Sequence, residues 1–159
     1  MVKITLISVG TLKEDYLKDA ISEYKKRLSQ YARVEEINLK EEAIHNEDDV
    51  GEISRALSTE GDKILAALPR DAKKIALCVE GKQYDSVELA HIIGGYADEC
   101  GKIALVIGSS HGLADKVKSA CDAKISFSKM TFPHQLMRVI LYEALYRSFT
   151  ILAGKRYHK

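Results

Sequence analysis

The chain has 159 residues, of which 24 are Lys or Arg, 23 are Asp or Glu and 46% are apolar. This length and balance predict one domain with its own core, and they exclude a disordered chain or a strongly basic protein. Cys78, Cys100 and Cys121 lie far apart without C-x-x-C spacing, which indicates a reducing compartment and no structural zinc. With no signal peptide and no apolar run of membrane length, we expect a cytoplasmic protein.

Charge is distributed unevenly along the chain. Residues 35–62 carry ten acidic side chains against Lys40 and Arg55, whereas residues 129–159 carry six basic side chains against Glu143 alone. We interpret the acidic stretch as ordinary solvated surface. The basic end is either solvated surface or a region that contacts a polyanion such as RNA.

The first half of the chain alternates between the apolar periods of strands and helices. Gly10 closes the first strand, and Pro69 ends the second helix. In chain order we predict a strand at Val2–Val9, a helix at Leu12–Tyr31, a weaker strand at Val34–Leu39, a loop at Lys40–Val50 and a helix over 50–68 that is interrupted or weakened near Gly61.

The second half continues the alternation and ends in the longest apolar helix. Pro133 cannot donate to a sheet ladder, so the last strand ends before it and the helix begins close to His134. The predicted elements are a strand at Lys74–Val79, a turn at Gly81, a helix at Ser86–Cys100, a strand at Ile103–Ile107, a turn at Gly108–Gly112, a short helix at Leu113–Ala120, a short strand at Ile125–Phe127 and a helix from His134 to Leu152.

This pattern predicts an α/β fold, a mainly parallel sheet with helices on both faces. Ligands of such sheets bind beyond the carboxyl ends of the strands. Three loops are therefore expected to converge on a site: Glu80–Lys82, Gly108–Gly112 and Ser128–Pro133.

The turn Gly108–Gly112 matches G-x-S-x-G, the nucleophile elbow of α/β-hydrolases. Ser110 would then be a nucleophile, and Asp115 or Asp122 with His134 or His158 would complete a triad. Two other interpretations stay open. The glycines either make a simple turn or let the backbone approach a cofactor.

The last helix carries further candidates. His134 could accept a proton, contact a phosphate or cap the helix, and Arg147 follows Glu143 at the spacing of a surface ion pair. Arg138, Tyr142 and Tyr146 form a stripe that could face RNA bases or an interface. Because this helix is apolar over so much of its circumference, we expect a second subunit to bury part of it.

The segment Ser126–Gln135, which reads SFSKMTFPHQ, and the terminal Tyr157-His158 are specific motifs. With them, the chain resembles the bacterial ribosomal RNA large-subunit methyltransferase H family over its whole length. That family belongs to the SPOUT superfamily and methylates N3 of a pseudouridine in 23S rRNA. The chain departs from the family at Ser109, where a second glycine is usual, and at Cys78, where many relatives have an acidic residue.

The resemblance implies a single SPOUT domain over 1–159 with a deep trefoil knot in roughly 75–159. It also implies a homodimer that binds S-adenosylmethionine and acts on 23S rRNA in the ribosome or large subunit, without a metal and away from membranes. The implied cofactor contacts are Leu77, Gly108, Phe127, Ser128, Lys129, Met130, Thr131 and Phe132.

The resemblance places His134, Arg147, Tyr157 and His158 in catalysis or RNA binding. We assign catalysis to His134, Arg147 and His158: an imidazole would accept the N3 proton while Arg147 stabilises charge on the base. The expected RNA contacts are Arg138, Lys155, Arg156, Tyr157 and Lys159. A serine hydrolase and a noncatalytic RNA-binding dimer are the alternatives.

Overall fold

A computed structural model describes residues 1–159 and contains five strands and five helices. The elements are β1 (Val2–Val9), α1 (Asp15–Leu28), β2 (Ala32–Leu39), α2 (Val50–Ala67), β3 (Lys73–Gln83), α3 (Ser86–Cys100), β4 (Lys102–Ile107), α4 (Asp115–Ser119), β5 (Ala123–Ser126) and α5 (His134–Leu152).

The strands form one sheet in the order β2-β1-β4-β3-β5, and every neighbouring pair is parallel. Side chains alternate across it, so that Ile4 and Leu6 join a core with α1, α3 and α5, while Ile7 and Val9 join a second core with α2 and α4. The predicted α/β fold with helices on both faces is confirmed. Its parallel strands all end at one edge, where the loops of the site meet.

Gly61 does not interrupt the second helix, because α2 is continuous through it. A Cβ at Gly61 would lie 2.8 Å from Lys116 Cε and 3.1 Å from the Cβ of Ala114. The glycine therefore allows α2 to pack closely on the segment that leads into α4. The predicted interruption was wrong because this need for space cannot be seen in local sequence.

Gly81 does not form a turn either, since β3 continues to Gln83 with a register shift between Leu77 and Lys82. A Cβ at Gly81 would lie 2.6 Å from the carbonyl carbon of Ile125. The glycine lets the end of β3 approach the backbone of β5. The prediction of a turn at Gly81 was wrong for this reason.

The acidic segment 40–49 is a loop, as predicted, but it is tied to α2. Glu60 accepts a hydrogen bond from the backbone N–H of Glu42 at 2.9 Å. Glu52 accepts from His45 at 2.6 Å and from Asn46 at 3.1 Å. Part of the acidic charge therefore orders the loop rather than only facing solvent.

Helix α5 finds much of its packing within the chain. Leu141, Leu145 and Phe149 are buried in the core shared with α1 and α3. Leu136 and Leu152 remain exposed at the two ends of the helix. The expectation that a second subunit covers α5 therefore applies to these remaining surfaces.

The structure corrects the placement of Arg138, which was expected to contact RNA. Its side chain is 5% exposed, and Nη2 donates to Asn38 Oδ1 at 2.8 Å. Tyr142, on the same stripe, is fully buried and donates to Glu36 Oε1 at 2.7 Å; burial and this bond raise the pKa of Tyr142. Arg138 and Tyr142 thus bond partners on β2, although Arg138 Nη1 is buried without a partner, whereas Tyr146 is only half-buried.

Candidate active site

A cavity of about 640 Å³ lies beyond the carboxyl ends of β3, β4 and β5. Its walls come mainly from residues 77–80, 107–113 and 125–134. The three predicted loops thus meet at one site. The first loop was predicted at Glu80–Lys82, but the residues of this segment that line the cavity are Leu77–Glu80. Gly81 and Lys82 do not line it and form the end of β3.

Most residues that the resemblance implies as cofactor contacts line this cavity. Lys129 is the exception, although both of its neighbours line the wall. The lining residues among those expected are Leu77, Gly108, Phe127, Ser128, Met130, Thr131 and Phe132.

The turn 108–112 forms one wall and is unusually tight. A Cβ at Gly108 would lie 2.2 Å from the carbonyl oxygen of Gly112, so only glycine fits there. Gly112 itself has φ of 91°, and its N–H donates to the carbonyl of Ser109 at 2.9 Å. The glycine at 108 therefore lets the turn close tightly on Gly112.

The segment after β5 forms the opposite wall and orders itself by short-range hydrogen bonds. Ser126 Oγ donates to the carbonyl of Ser128 at 3.0 Å, and Ser128 Oγ accepts from the N–H of Met130 at 3.0 Å. Pro133 precedes α5, and no side chain caps the helix start. This wall can thus supply main-chain polar groups and the apolar side chains of Phe127 and Met130.

An ion pair that the sequence analysis missed lies at the cavity: Lys118 of α4 bonds Glu80. The bond to Glu80 raises the pKa of Lys118, and the same bond lowers the pKa of Glu80. Burial raises the pKa of the Cys78 thiol, which keeps it protonated and unreactive at neutral pH. No local pattern indicates this pair, because its two residues lie 38 positions apart in the chain.

The structure does not assemble the serine-hydrolase alternative. Ser110 Oγ is hydrogen-bonded to Glu41 Oε1 at 3.5 Å, and no histidine accepts from it. His111 instead pairs with Glu47, with Nε2 3.0 Å from the carboxylate. A serine nucleophile needs a base within hydrogen-bond reach, so this part of the prediction finds no support.

The predicted catalytic residues fall into two groups. His134 lines the cavity and packs over Gly10, where a Cβ would lie 3.1 Å from His134 Nε2. Arg147 and His158 lie at the other end of α5. Since a helix rises 1.5 Å per residue, His134 and Arg147 are separated by roughly 20 Å within one chain.

Arg147 is the centre of the second group. Glu143 Oε1 accepts from its Nε at 3.0 Å and from its Nη2 at 2.6 Å. Its Nη1 lies 3.3 Å from His158 Nδ1, which must be the acceptor because a guanidinium only donates. The bond to Glu143 raises the pKa of Arg147, so its positive charge is permanent.

The end of the chain folds back over this group. The ring of Tyr157 lies 4.7 Å from the Arg147 guanidinium, and its hydroxyl donates to Glu143 at 3.2 Å. Lys155 Nζ donates to Gln30 at 2.9 Å. Lys155, Arg156 and Lys159 are exposed, so cations and an aromatic ring share one surface.

Residues 2–158 match the family model described as "Predicted SPOUT methyltransferase". The chain belongs to the SPOUT methyltransferase family. More particularly, it is 46% identical to a protein of Shouchella clausii and 43% identical to one of Caldicellulosiruptor saccharolyticus, each named ribosomal RNA large subunit methyltransferase H. Both alignments cover 98% of this chain and 99% of the relative. A Bacillus pumilus protein of the same name is 45% identical with the same coverage.

A solved structure shares the fold at much lower sequence identity. It is described as a probable methylase family protein from Haemophilus influenzae, with a TM-score of 0.56 and 16% identity, and the match covers 99% of this chain and 70% of the other. None of the helices combines the length and apolar character needed to cross a membrane. No three side chains among His, Cys, Asp and Glu are grouped to hold a metal ion.

Proposed function

We propose that this chain transfers the methyl group of S-adenosylmethionine to N3 of a pseudouridine in 23S rRNA of the large ribosomal subunit. One observation carries the proposal: three strand-end loops enclose a cavity at the position where the resemblance places the cofactor. Relatives named for this ribosomal RNA activity, 43–46% identical over nearly the full chain, support it.

The cavity fits S-adenosylmethionine in size and in chemistry. Its volume of about 640 Å³ is in the range of small-molecule sites. Leu77 and Phe127 offer apolar surface for an adenine ring, and the glycine at 108 keeps the backbone free of a Cβ. Main-chain groups of 108–112 and 127–132 would hold the polar parts. When bound, the cofactor supplies an electrophilic methyl group, so the protein needs no nucleophile of its own.

Side chains of the protein then orient the base and accept its N3 proton. Transfer to N3 would form an N–C bond while the S–C bond of the sulfonium breaks and leaves a neutral thioether. The N3 proton is released, and an imidazole can accept it near neutral pH. His134 lines the cavity and His158 contacts Arg147, so each is a candidate acceptor. The fixed charge of Arg147 would stabilise negative charge that spreads onto the carbonyl oxygens beside N3.

The same geometry favours a homodimer. His134 and Arg147 cannot meet in one chain, because roughly 20 Å of straight helix separates them. A second subunit that presents its Arg147 and His158 to the cavity of the first would bring the two groups together. The exposed apolar side chains of Val79 and Met130, beside the cavity, are suitable contacts for such a subunit.

Two further parts of the proposal concern the knot in the chain and the cellular compartment in which the protein acts. A knot in residues 75–159 remains our expectation, and the meeting of 77–80, 107–113 and 125–134 around one cavity supports it. A cytoplasmic site of action follows from a ribosomal substrate, and three free cysteines suit a reducing compartment.

The decisive experiment combines cofactor titration, sedimentation and a methylation assay on one preparation. We expect saturable calorimetric binding of S-adenosylmethionine to a dimer, followed by methylation of large ribosomal subunits that carry the unmodified pseudouridine. Mass mapping of the nucleoside would locate the methyl group at N3. RNA binding without cofactor binding would instead support the noncatalytic RNA-binding alternative.

RNA binding should weaken steeply with salt, because the exposed tail cations are expected to contact phosphates. The slope of log K against log salt is negative, and replacing Lys155, Arg156 and Lys159 by Gln should reduce its magnitude by about two to three, measured with large subunits between about 50 and 200 mM salt. The control is Lys116→Gln, which removes a cation on the opposite face of the sheet. An unchanged slope in the triple variant would exclude the tail from phosphate contact.

A further inference from the structure

Three consecutive residues of the turn 108–112 each bond a different carboxylate from the acidic part of the chain. Ser110 meets Glu41 and His111 meets Glu47; Ser110 and Glu47 are exposed, whereas Glu41 and His111 are half-buried. Ser109 meets Glu60, and this contact is buried. The cavity wall is therefore anchored from outside, by a region that contributes no residue to the cavity lining.

The contact between Ser109 and Glu60 differs from the other two in its burial. Glu60 is 3% exposed and Ser109 is 7% exposed, and Ser109 Oγ donates to Glu60 Oε1 at 2.9 Å. The other oxygen of Glu60 accepts from the N–H of Glu42 at 2.9 Å. Both oxygens of a buried carboxylate are thus satisfied, one by the cavity wall and one by the loop 40–49.

The direction of the Ser109 side chain indicates what the bond does. Its hydroxyl is turned to α2, so the main chain of Ser109 is left to form part of the cavity wall. Gly108 and Gly112 flank it and have no side chains that could fix the turn. Besides the turn's own bond from Gly112 N–H to the carbonyl of Ser109, the anchor outside the cavity is what fixes this backbone relative to α2.

We propose that Glu60 is a positioning residue for the cofactor: through Ser109 it holds the turn 108–112 in the conformation that binds S-adenosylmethionine. The inference rests on the proposed function, since it assigns this wall to the cofactor. Without the bond, the turn populates other conformations, and the apparent Kd rises in inverse proportion to the competent fraction. Glu60 touches no reacting atom, so kcat at saturating cofactor stays unchanged.

The test is a set of cofactor titrations on the full-length dimer. Ser109→Ala and Glu60→Ala should each raise the Kd for S-adenosylmethionine about tenfold, with KM raised in parallel and kcat retained. The double variant should bind no more weakly than Glu60→Ala alone, because Glu60→Ala already removes the bond to Ser109. Ser109→Ala removes one oxygen atom only, so it keeps the test valid if Glu60→Ala fails to fold.

Two further variants separate positioning from general stability. Glu60→Gln can donate to Ser109 Oγ and accept from Glu42, so its Kd should stay within about twofold of the parent. Asp62→Asn breaks the exposed pair with Lys116 on the same helix and should leave the Kd unchanged. A lower Tm with unchanged Kd in Ser109→Ala would overturn this inference and leave the proposed function standing. Failure of the parent protein to bind the cofactor would overturn the proposed function as well.

Discussion

Arg147→Ala should lower the single-turnover methylation rate by about 10²–10³-fold while the Kd for S-adenosylmethionine stays within about twofold. Arg147 lines no part of the cavity and lies at the far end of α5, so cofactor binding does not depend on it within one chain. Its proposed task is to stabilise charge on the base during transfer. The measurement is single-turnover methylation of large ribosomal subunits at saturating cofactor.

Arg27→Ala is a matched control for this variant. Arg27 bonds Glu23 at the same i, i+4 spacing, 2.8 Å apart, and its guanidinium lies 5.6 Å from the ring of Tyr24. The Arg27 pair is exposed, and such pairs contribute only about 0.2–1 kcal/mol, whereas the Arg147 pair is half-buried. Thermal unfolding should therefore show that both variants are folded at the assay temperature. Equal rate losses in both variants would show that the loss comes from removing an Arg–Glu pair on a helix, and not from a catalytic role of Arg147. Lost cofactor binding in Arg147→Ala would show that Arg147 belongs to the cofactor site and not, as proposed, to the site that contacts the base.

Gly108→Ala should abolish measurable cofactor binding, with a Kd raised at least about 100-fold, because the added methyl cannot be accommodated. The clash is with the backbone of Gly112, which cannot rotate away as a side chain would. The turn must open, and overpacking of this kind also costs roughly 1–3 kcal/mol of stability. Titration calorimetry measures the binding, and thermal unfolding shows whether the variant is folded at the titration temperature.

The control for this variant is Gly95→Ala, in α3. A Cβ there meets no atom within 4 Å, and the position is helical, so alanine should stabilise the protein by up to about 1 kcal/mol and leave binding unchanged. If folded Gly108→Ala bound the cofactor like the parent, the turn could not be in the conformation described here.

The sequence predicted the bounds of an element correctly where the apolar pattern of that element alone determines them. Val2–Val9 and Ser86–Cys100 begin and end as predicted, because an apolar period and clear glycine boundaries coincide there. The start of α5 at His134 followed from Pro133. The convergence of three loops at one edge also followed from the parallel topology alone, before any side-chain contact was known.

The errors share a cause, which is contact between residues far apart in the chain. Gly81 was read as a turn because its need for space arises from Ile125 in another strand. Arg138 was read as exposed because its partner Asn38 lies 100 positions away. The bond between Ser109 and Glu60 spans 49 positions and left no local pattern. The separation of His134 and Arg147, by contrast, follows from the predicted helix alone, because thirteen residues at about 1.5 Å each give roughly 20 Å.

The strand order has a consequence for how the chain folds. β1 and β2 are close in sequence and can pair early, but the other neighbour of β1 is β4, where Lys3 pairs with Lys102. Until β4 is available, one edge of β1 is unpaired and open to association with other chains. Pairings this distant in sequence also slow folding. We therefore expect refolding yields to fall as protein concentration rises, even though the folded sheet protects β1 on both sides.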